Sequence, residues 1–323
     1  MSLALVPASG ALLDEILDET YPLWGEGLDR RAYAKYNEAQ LRTPWGATRL
    51  TRVALVENGR VLSSAKRYDL GLRMDGQETR LIGIGAVFTP GEMRGLGYAT
   101  ELIRRVLEGA AGEGFGHAML FSEIDPRYYE RLGFRALPIN QLALDVLPGR
   151  HRGSPAIPMR WGEFTDLPAI VEMNATQTSG FRMALVRDRG YVRQAITKKR
   201  LLAACGRPGH RKVEFFVVEE GGRAAAYVVL LEVADYWMIT ECGDRDPSGA
   251  RVGAMLQALV AREEPHAFHL RAWFPPGFLP PQLRVVAHEI PPVAMMLRPI
   301  GREVRPDPPL TLQDIAWWHG DAF

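Results

Sequence analysis

Apolar positions along the first third of the chain change their period several times, and each change predicts an element. Over residues 11–23, Leu12, Leu13, Ile16, Leu17 and Leu23 fall at helical steps, and 30–41 repeats the pattern around Tyr33 and Tyr36. Apolar runs at 51–57 and 60–70 flank Asn58-Gly59, the strongest short hairpin signal, and Met74-Asp75-Gly76 predicts a second turn. The run 81–88 is a short buried strand closed by Thr89-Pro90-Gly91. Beyond it Leu96, Ala99, Leu102, Ile103, Val106, Leu107 and Ala110 form one stripe, with Glu101, Arg104, Arg105 and Glu108 opposite, so the spacing predicts an amphipathic helix. Gly112, Gly114 and Gly116 end it, 117–121 predicts the next strand, and 141–147 a closing strand.

The pattern then restarts. A Pro/Gly/Arg-rich stretch, 148–155, predicts a linker. After it, 157–160 with the helix 166–176 echoes residues 5–7 and their helix, and 187–204 parallels 30–41. The run 215–223 echoes 52–60, 237–241 parallels the 81–88 strand, 252–263 its helix, and 292–298 the closing strand 141–147. An internal repeat therefore predicts two domains, 1–149 and 156–300, with a tail at 301–323.

Composition narrows the class. Of 323 residues, 47% are hydrophobic and 24% charged, with net charge +1, which predicts a globular chain without a nucleic-acid footprint. Cys205 and Cys242 stand far apart, which suits a reducing cytoplasmic setting, and no apolar run reaches the roughly 20 residues of a membrane span.

Candidate chemistry starts at the turn Arg94-Gly95-Leu96-Gly97-Tyr98-Ala99. A helix start leaves about four N–H groups without intrahelical partners and carries about half a positive charge. Glycines there admit a ligand oxygen to bare backbone and Arg94 adds a cation, an arrangement suited to a pyrophosphate. Taken alone, the turn is equally readable as a glycine-bent connection with a solvated Arg. Downstream stands Tyr129-Glu130-Arg131-Leu132-Gly133-Phe134.

These two motifs, in this order and on these elements, resemble the GNAT superfamily of acyl-CoA-dependent N-acyltransferases. Arg94-Gly95-Leu96-Gly97-Tyr98-Ala99 fits the family's pyrophosphate signature, and Tyr129 its Tyr four residues before Gly-Phe. The resemblance implies an α/β (α+β) fold of two GNAT-like domains, each a mixed, mostly antiparallel sheet flanked by helices. It also implies acetyl-CoA as co-substrate, no metal, and a small-molecule or peptide amine as acceptor, with no nucleic acid or membrane partner and oligomerisation left open. Backbone groups of Ala86, Val87 and Phe88 would hold the pantetheine arm, and 94–99 the pyrophosphate. Over its full length the chain is similar to the enhanced-intracellular-survival acetyltransferases, whose aminoglycoside and protein-lysine substrates and hexameric assembly come with that likeness. Those proteins carry a further C-terminal lipid-carrier-like domain, which 301–323 is too short to form.

By the same resemblance Tyr129 is the general acid for the departing thiolate. With ordinary pKa values of about 10 and about 8.5, that transfer is uphill by only about 2 kcal/mol. The family's chain end reaches the active site, so the carboxylate of Phe323 is a candidate base, and a tail holding Trp317, Trp318 and Phe323 should be docked. Asp125 before Pro126 reads as a helix cap, and Glu123 is left open as a contact to the amine. Trp24, Tyr33, Tyr36 and Tyr68 are equally readable as pocket or core.

The second half lacks both signatures. Asp244 and Asp246 would repel a pyrophosphate, and Pro280 stands where Tyr129 would, so this half is expected to be a silent companion. His266 and His269 beside Pro265 read as structural, and Gly83-Ile84-Gly85 is an incomplete dinucleotide fingerprint inside a strand. A non-enzymatic acyl-CoA sensor is the alternative from another class.

Overall fold

The computed structural model describes residues 3–148, 157–233, 236–262, 269–301 and 308–323. The first half opens with β1 (Ala4–Pro7), α1 (Ala11–Trp24), α2 (Arg30–Arg42) and α3 (Gly46–Arg49), followed by β2 (Leu50–Glu57), β3 (Arg60–Met74) and β4 (Gln77–Phe88). Then come α4 (Tyr98–Gly112), β5 (His117–Ser122), α5 (Arg127–Glu130), β6 (Arg135–Ala136) and β7 (Gln141–Val146). The second half runs β8 (Met159–Trp161), α6 (Leu167–Thr178), β9 (Met183–Val186), α7 (Arg189–Cys205), β10 (Arg211–Glu220), β11 (Arg223–Val233) and β12 (Tyr236–Asp244). It closes with α8 (Ala250–Arg262), β13 (His269–Ala272), β14 (Leu283–Glu289), β15 (Ala294–Pro299) and β16 (Ile315–Ala316).

Local chemistry accounts for most of these elements. Asn58 and Gly59 have φ of 51° and 80°, and Asp75 and Gly76 48° and 80°, so both turns take the two left-handed residues that match the twist of a hairpin. Asp29 caps α2 by accepting the Ala32 N–H, and Asp188 caps α7 by accepting that of Tyr191. The predicted stripe of α4 is buried from Leu102 to Ala110 and packs on Ile82, Ile84, Ala118 and Leu120 of the sheet.

The result is a mixed α/β architecture with two mixed sheets flanked by helices. One sheet orders its strands β1-β2-β3-β4-β5-β15-β6, with β9 joined to β3 and β16 to β9; the other runs β14-β7-β13-β12-β11-β10-β8. Each has a parallel pair at its centre, β4 with β5 and β12 with β13.

The sheets do not respect the expected division into 1–149 and 156–300. β7 leaves the first half and pairs with β13 and β14, while β15 crosses back to pair with β5 and β6. The two closing strands, expected at 141–147 and 292–298, form but exchange sheets. Both are short apolar runs after a turn, and pattern alone cannot say which sheet edge such a strand completes. Most of the expected linker, 149–155, lies outside the described residues, as do Pro265 and His266. No described helix is long and apolar enough to cross a membrane.

Candidate active site

The site begins where two strands part. β4 pairs with β5 only from Leu81 to Gly83, against His117 to Met119. On its other edge, Gly85 faces Lys66 and Phe88 faces Ser64, so Ala86 and Val87 together oppose the single residue Ala65. This bulge bends β4 away from β5, and Ala86 accepts a left-handed φ of 47° to make it. Backbone of 84–87 on the β5 side is thereby left without a strand partner, the condition for holding an extended amide-bearing chain. The Phe88 carbonyl accepts the Ser63 hydroxyl at 2.7 Å, so this group of the expected set already has a partner.

Below the opening, the turn 94–97 leads into α4. Gly95 and Gly97 have φ of 78° and 85°, and a side chain added to either would meet nothing within 4 Å. Gly97 is the cap residue and offers no side-chain acceptor, so the first N–H groups of α4 at Tyr98, Ala99 and Thr100 have no capping partner. Leu96 is exposed. Arg94 is exposed too and donates through Nε to the carbonyl of Thr89 at 3.2 Å, which ties its stem beside the helix start. A phosphate fits this cradle: open space, bare donors and a cation converge.

A cleft of about 470 Å³ lies at the upper end of the opening and is lined by Ala86, Val87, Tyr129 and Phe323. Trp24, Tyr33, Tyr36, Tyr68 and Glu123 line it as well. Tyr129 sits on α5, its ring edge-on to Tyr128 at 4.9 Å and to Phe134 at 6.1 Å, and is buried. Its hydroxyl has no hydrogen bond among the described residues. Burial, with smaller contributions from Tyr128 and Glu123, pushes the phenol up to about 12. An ordinary tyrosine acidity is therefore corrected: against a thiol of pKa about 8.5, this phenol would hold its proton more tightly by about 5 kcal/mol, not about 2. Asp125 accepts the Arg127 N–H at 3.0 Å across Pro126, but the cap position of α5 falls on Pro126 itself and has no side-chain cap. The expected capping by Asp125 thus shifts by one residue to a local turn contact. Glu123 accepts from Trp24 Nε1 at 3.5 Å.

The tail supplies the cleft's far wall. β16 pairs in parallel with β9, Trp317 and Trp318 are buried, and Asp321 meets Arg187 at 3.3 Å in a buried cluster with Glu241. The Phe323 ring packs at a tilt of 40° against Tyr68, 4.9 Å away, and edge-on to Phe121 at 5.3 Å. The incomplete fingerprint Gly83-Ile84-Gly85 finds its explanation here. A Cβ on Gly83 would lie 2.7 Å from the Phe323 ring, and one on Gly85 3.3 Å from its terminal carbon and oxygen.

Three cations in the cleft escaped sequence reasoning: Arg52 of β2, Lys66 of β3 and Lys198 of α7. Arg52 interrupts an apolar run and reads as the solvent side of a strand, yet it is only 3% exposed. Burial pulls its guanidinium down, pulls Lys66 down together with repulsion from Arg52 and Lys198, and lowers Lys198 to about 8.

In the second half the corresponding turn is filled from within. Asp244 accepts the Arg251 N–H at 2.9 Å and pairs with its guanidinium at 2.8 Å, so a carboxylate occupies the helix start. Trp318 packs edge-on to Phe274 and Phe278 beside it. Among the described residues no group of three or more His, Cys, Asp or Glu is placed to hold a metal ion.

Residues 15–137 match the family model described as "Acetyltransferase (GNAT) domain". No curated protein matches the sequence. Among solved structures, a probable N-acyltransferase from Enterococcus faecalis is similar at 13% identity and TM-score 0.68, covering 93% of this chain and 72% of that one. GCN5-related N-acetyltransferases from Anabaena variabilis (15%, TM-score 0.65) and Kribbella flavida (17%, 0.66) each cover 92% of this chain and 72% of theirs. The likeness spans both halves and is one of fold.

Proposed function

We propose that the chain is an acetyl-CoA-dependent N-acetyltransferase acting on a primary amine, with one site per chain. The observation that carries this is the juxtaposition of the β4–β5 opening, the uncapped glycine turn at its foot and Tyr129 at its head. The family match over 15–137 supports it. Acetyl-CoA supplies a thioester carbonyl and a thiolate leaving group. Backbone at Ala86 and Val87 would hold its pantetheine arm, with a smaller part for Phe88, and Arg94, Gly95, Leu96, Gly97, Tyr98 and Ala99 its pyrophosphate.

Within this reading Tyr129 donates a proton to the departing sulfur. A step uphill by about 5 kcal/mol still fits beneath the roughly 16 kcal/mol barrier of an enzyme turning over about ten times per second. The raised pKa also keeps the phenol protonated at every working pH. The carboxylate of Phe323, beside Gly85, takes the proton from the attacking amine. The second half, its turn filled by Asp244, shapes the cleft and binds no acyl-CoA.

Release of CoA thiol across an amine panel tests this. Tyr129→Phe should lower kcat by roughly 10²-fold with KM for acetyl-CoA little changed. Wild-type kcat in that variant removes the assignment. Tight acetyl-CoA binding without thiol release on any amine would support the acyl-CoA sensor instead.

A further inference from the structure

Arg52, Lys66 and Gly85 lie directly opposite one another on β2, β3 and β4, so one row of the sheet runs from two cations to the bulge beside Tyr129. Lys198 closes on this row from α7. Arg52 is buried, and none of Nε, Nη1 and Nη2 has an acceptor among the described residues. Neither lysine forms a hydrogen bond or ion pair there. Of the cleft's own acids, Glu26 reaches Lys198 with its charge but is itself paired with Arg211 at 2.7 Å, and Glu123 sits against Trp24. The carboxyl end of Phe323 forms no ion pair with any of the three. A buried, unpaired cation is costly unless some state of the protein pairs it. The pyrophosphate cradle lies at the foot of the opening, so these charges face the acceptor end.

We propose that Arg52, Lys66 and Lys198 bind a carboxylate or phosphate carried by the acceptor, so that this chain acetylates amines bearing an anionic group and rejects polycationic ones. The inference rests on the acetyltransfer reading for its substrate class. Its electrostatic core is that two or three like charges in a half-buried cleft repel a second ammonium and attract an anion, with little screening by salt.

Matched acceptors test it. Thiol release is followed with 6-aminohexanoate, hexylamine and 1,6-diaminohexane, which share a reactive amine and differ at the far end. O-phosphoethanolamine against ethanolamine is the phosphate arm. The anionic member should have a kcat/KM at least about tenfold higher, the value of one charge-assisted hydrogen bond, and the series that shows it tells carboxylate from phosphate. Lys66→Met and Lys198→Met should each erase about tenfold of that preference through the acceptor's KM, leaving KM for acetyl-CoA unchanged. Lys198→Glu should turn the preference toward 1,6-diaminohexane. Calorimetric binding of the same acceptors is a second readout that needs no turnover. If no amine is acetylated but the anionic members bind more tightly, the acetyltransfer reading falls and the anion site stands. If the neutral or dicationic members match them in turnover and binding, or neither readout separates the series, the anion site is wrong.

Discussion

At the residue scale the informative group is Arg52, because it breaks the rule that buried charges are paired. Its guanidinium is buried in the described fold without an acceptor, and burial depresses it. Replacing such a charge by an apolar side chain of similar length removes a desolvation cost while keeping the packing of the stem. Arg52→Met should therefore stabilise the protein by about 1–4 kcal/mol, raising Tm by several degrees, even as activity on an anionic acceptor falls. Scanning calorimetry on the two proteins checks this, and a lowered Tm would mean that Arg52 holds the fold, not a ligand. Tyr129 shows the complementary case. Its spacing in the sequence marked it, whereas its acidity is set by burial and by Tyr128 and Glu123, which only the fold brings near.

At the scale of elements, the docked tail depends on two missing side chains. A methyl group on Gly83 would sit 2.7 Å from two atoms of the Phe323 ring, and 3.2 Å from Leu70. The ring has Tyr68 and Phe121 around it and little room to move. Gly83→Ala should thus displace the chain end, cutting kcat at least about tenfold if Phe323 serves the amine, whereas Gly85→Ala, at 3.3 Å, should cost less. Carboxypeptidase release of Phe323, faster in Gly83→Ala than in wild type, is the physical readout; equal release would show that the tail does not rest on these glycines. Elements whose cause is local could be read from the chain, among them the Asn58-Gly59 hairpin, the stripe of α4 and the glycine turn at 94–97. The docking of 315–323 could be foreseen from its aromatic residues, and only the family resemblance pointed to the cleft as its place. The glycines that receive it look like an interrupted fingerprint until Phe323 is seen against them. Arg52 and Lys66 were likewise invisible, since a lone charge in a strand has the same pattern whether it faces water or a cleft.

At the scale of the molecule, the exchange of β7 and β15 ties the two sheets together. Without β15 the first sheet would leave β5 with an open edge at residues that are largely buried, and without β7 the second would lose the strand that joins β13 to β14. Met295, Met296 and Leu297 of β15 are buried in the first sheet's cores, although they lie in the second half of the chain. The tail adds a second tie, since Asp321 and Arg187 meet at 3.3 Å beside Glu241 of β12 while Phe323 packs on β3 and β4. Two independent domains would unfold in two steps, because each would keep its own core when the other is lost. Here neither core is complete without a strand from the other half, so urea unfolding should follow one transition, coincident by far-ultraviolet circular dichroism and tryptophan fluorescence. Residues 1–149 expressed alone should fail to reach a cooperative fold, with the β5 edge open to aggregation. Two separated transitions, or a cooperatively folding 1–149 fragment, would show that the exchanged strands decorate domains already stable by themselves. A single transition would show that neither half completes its core alone, so the cleft walls are built by both.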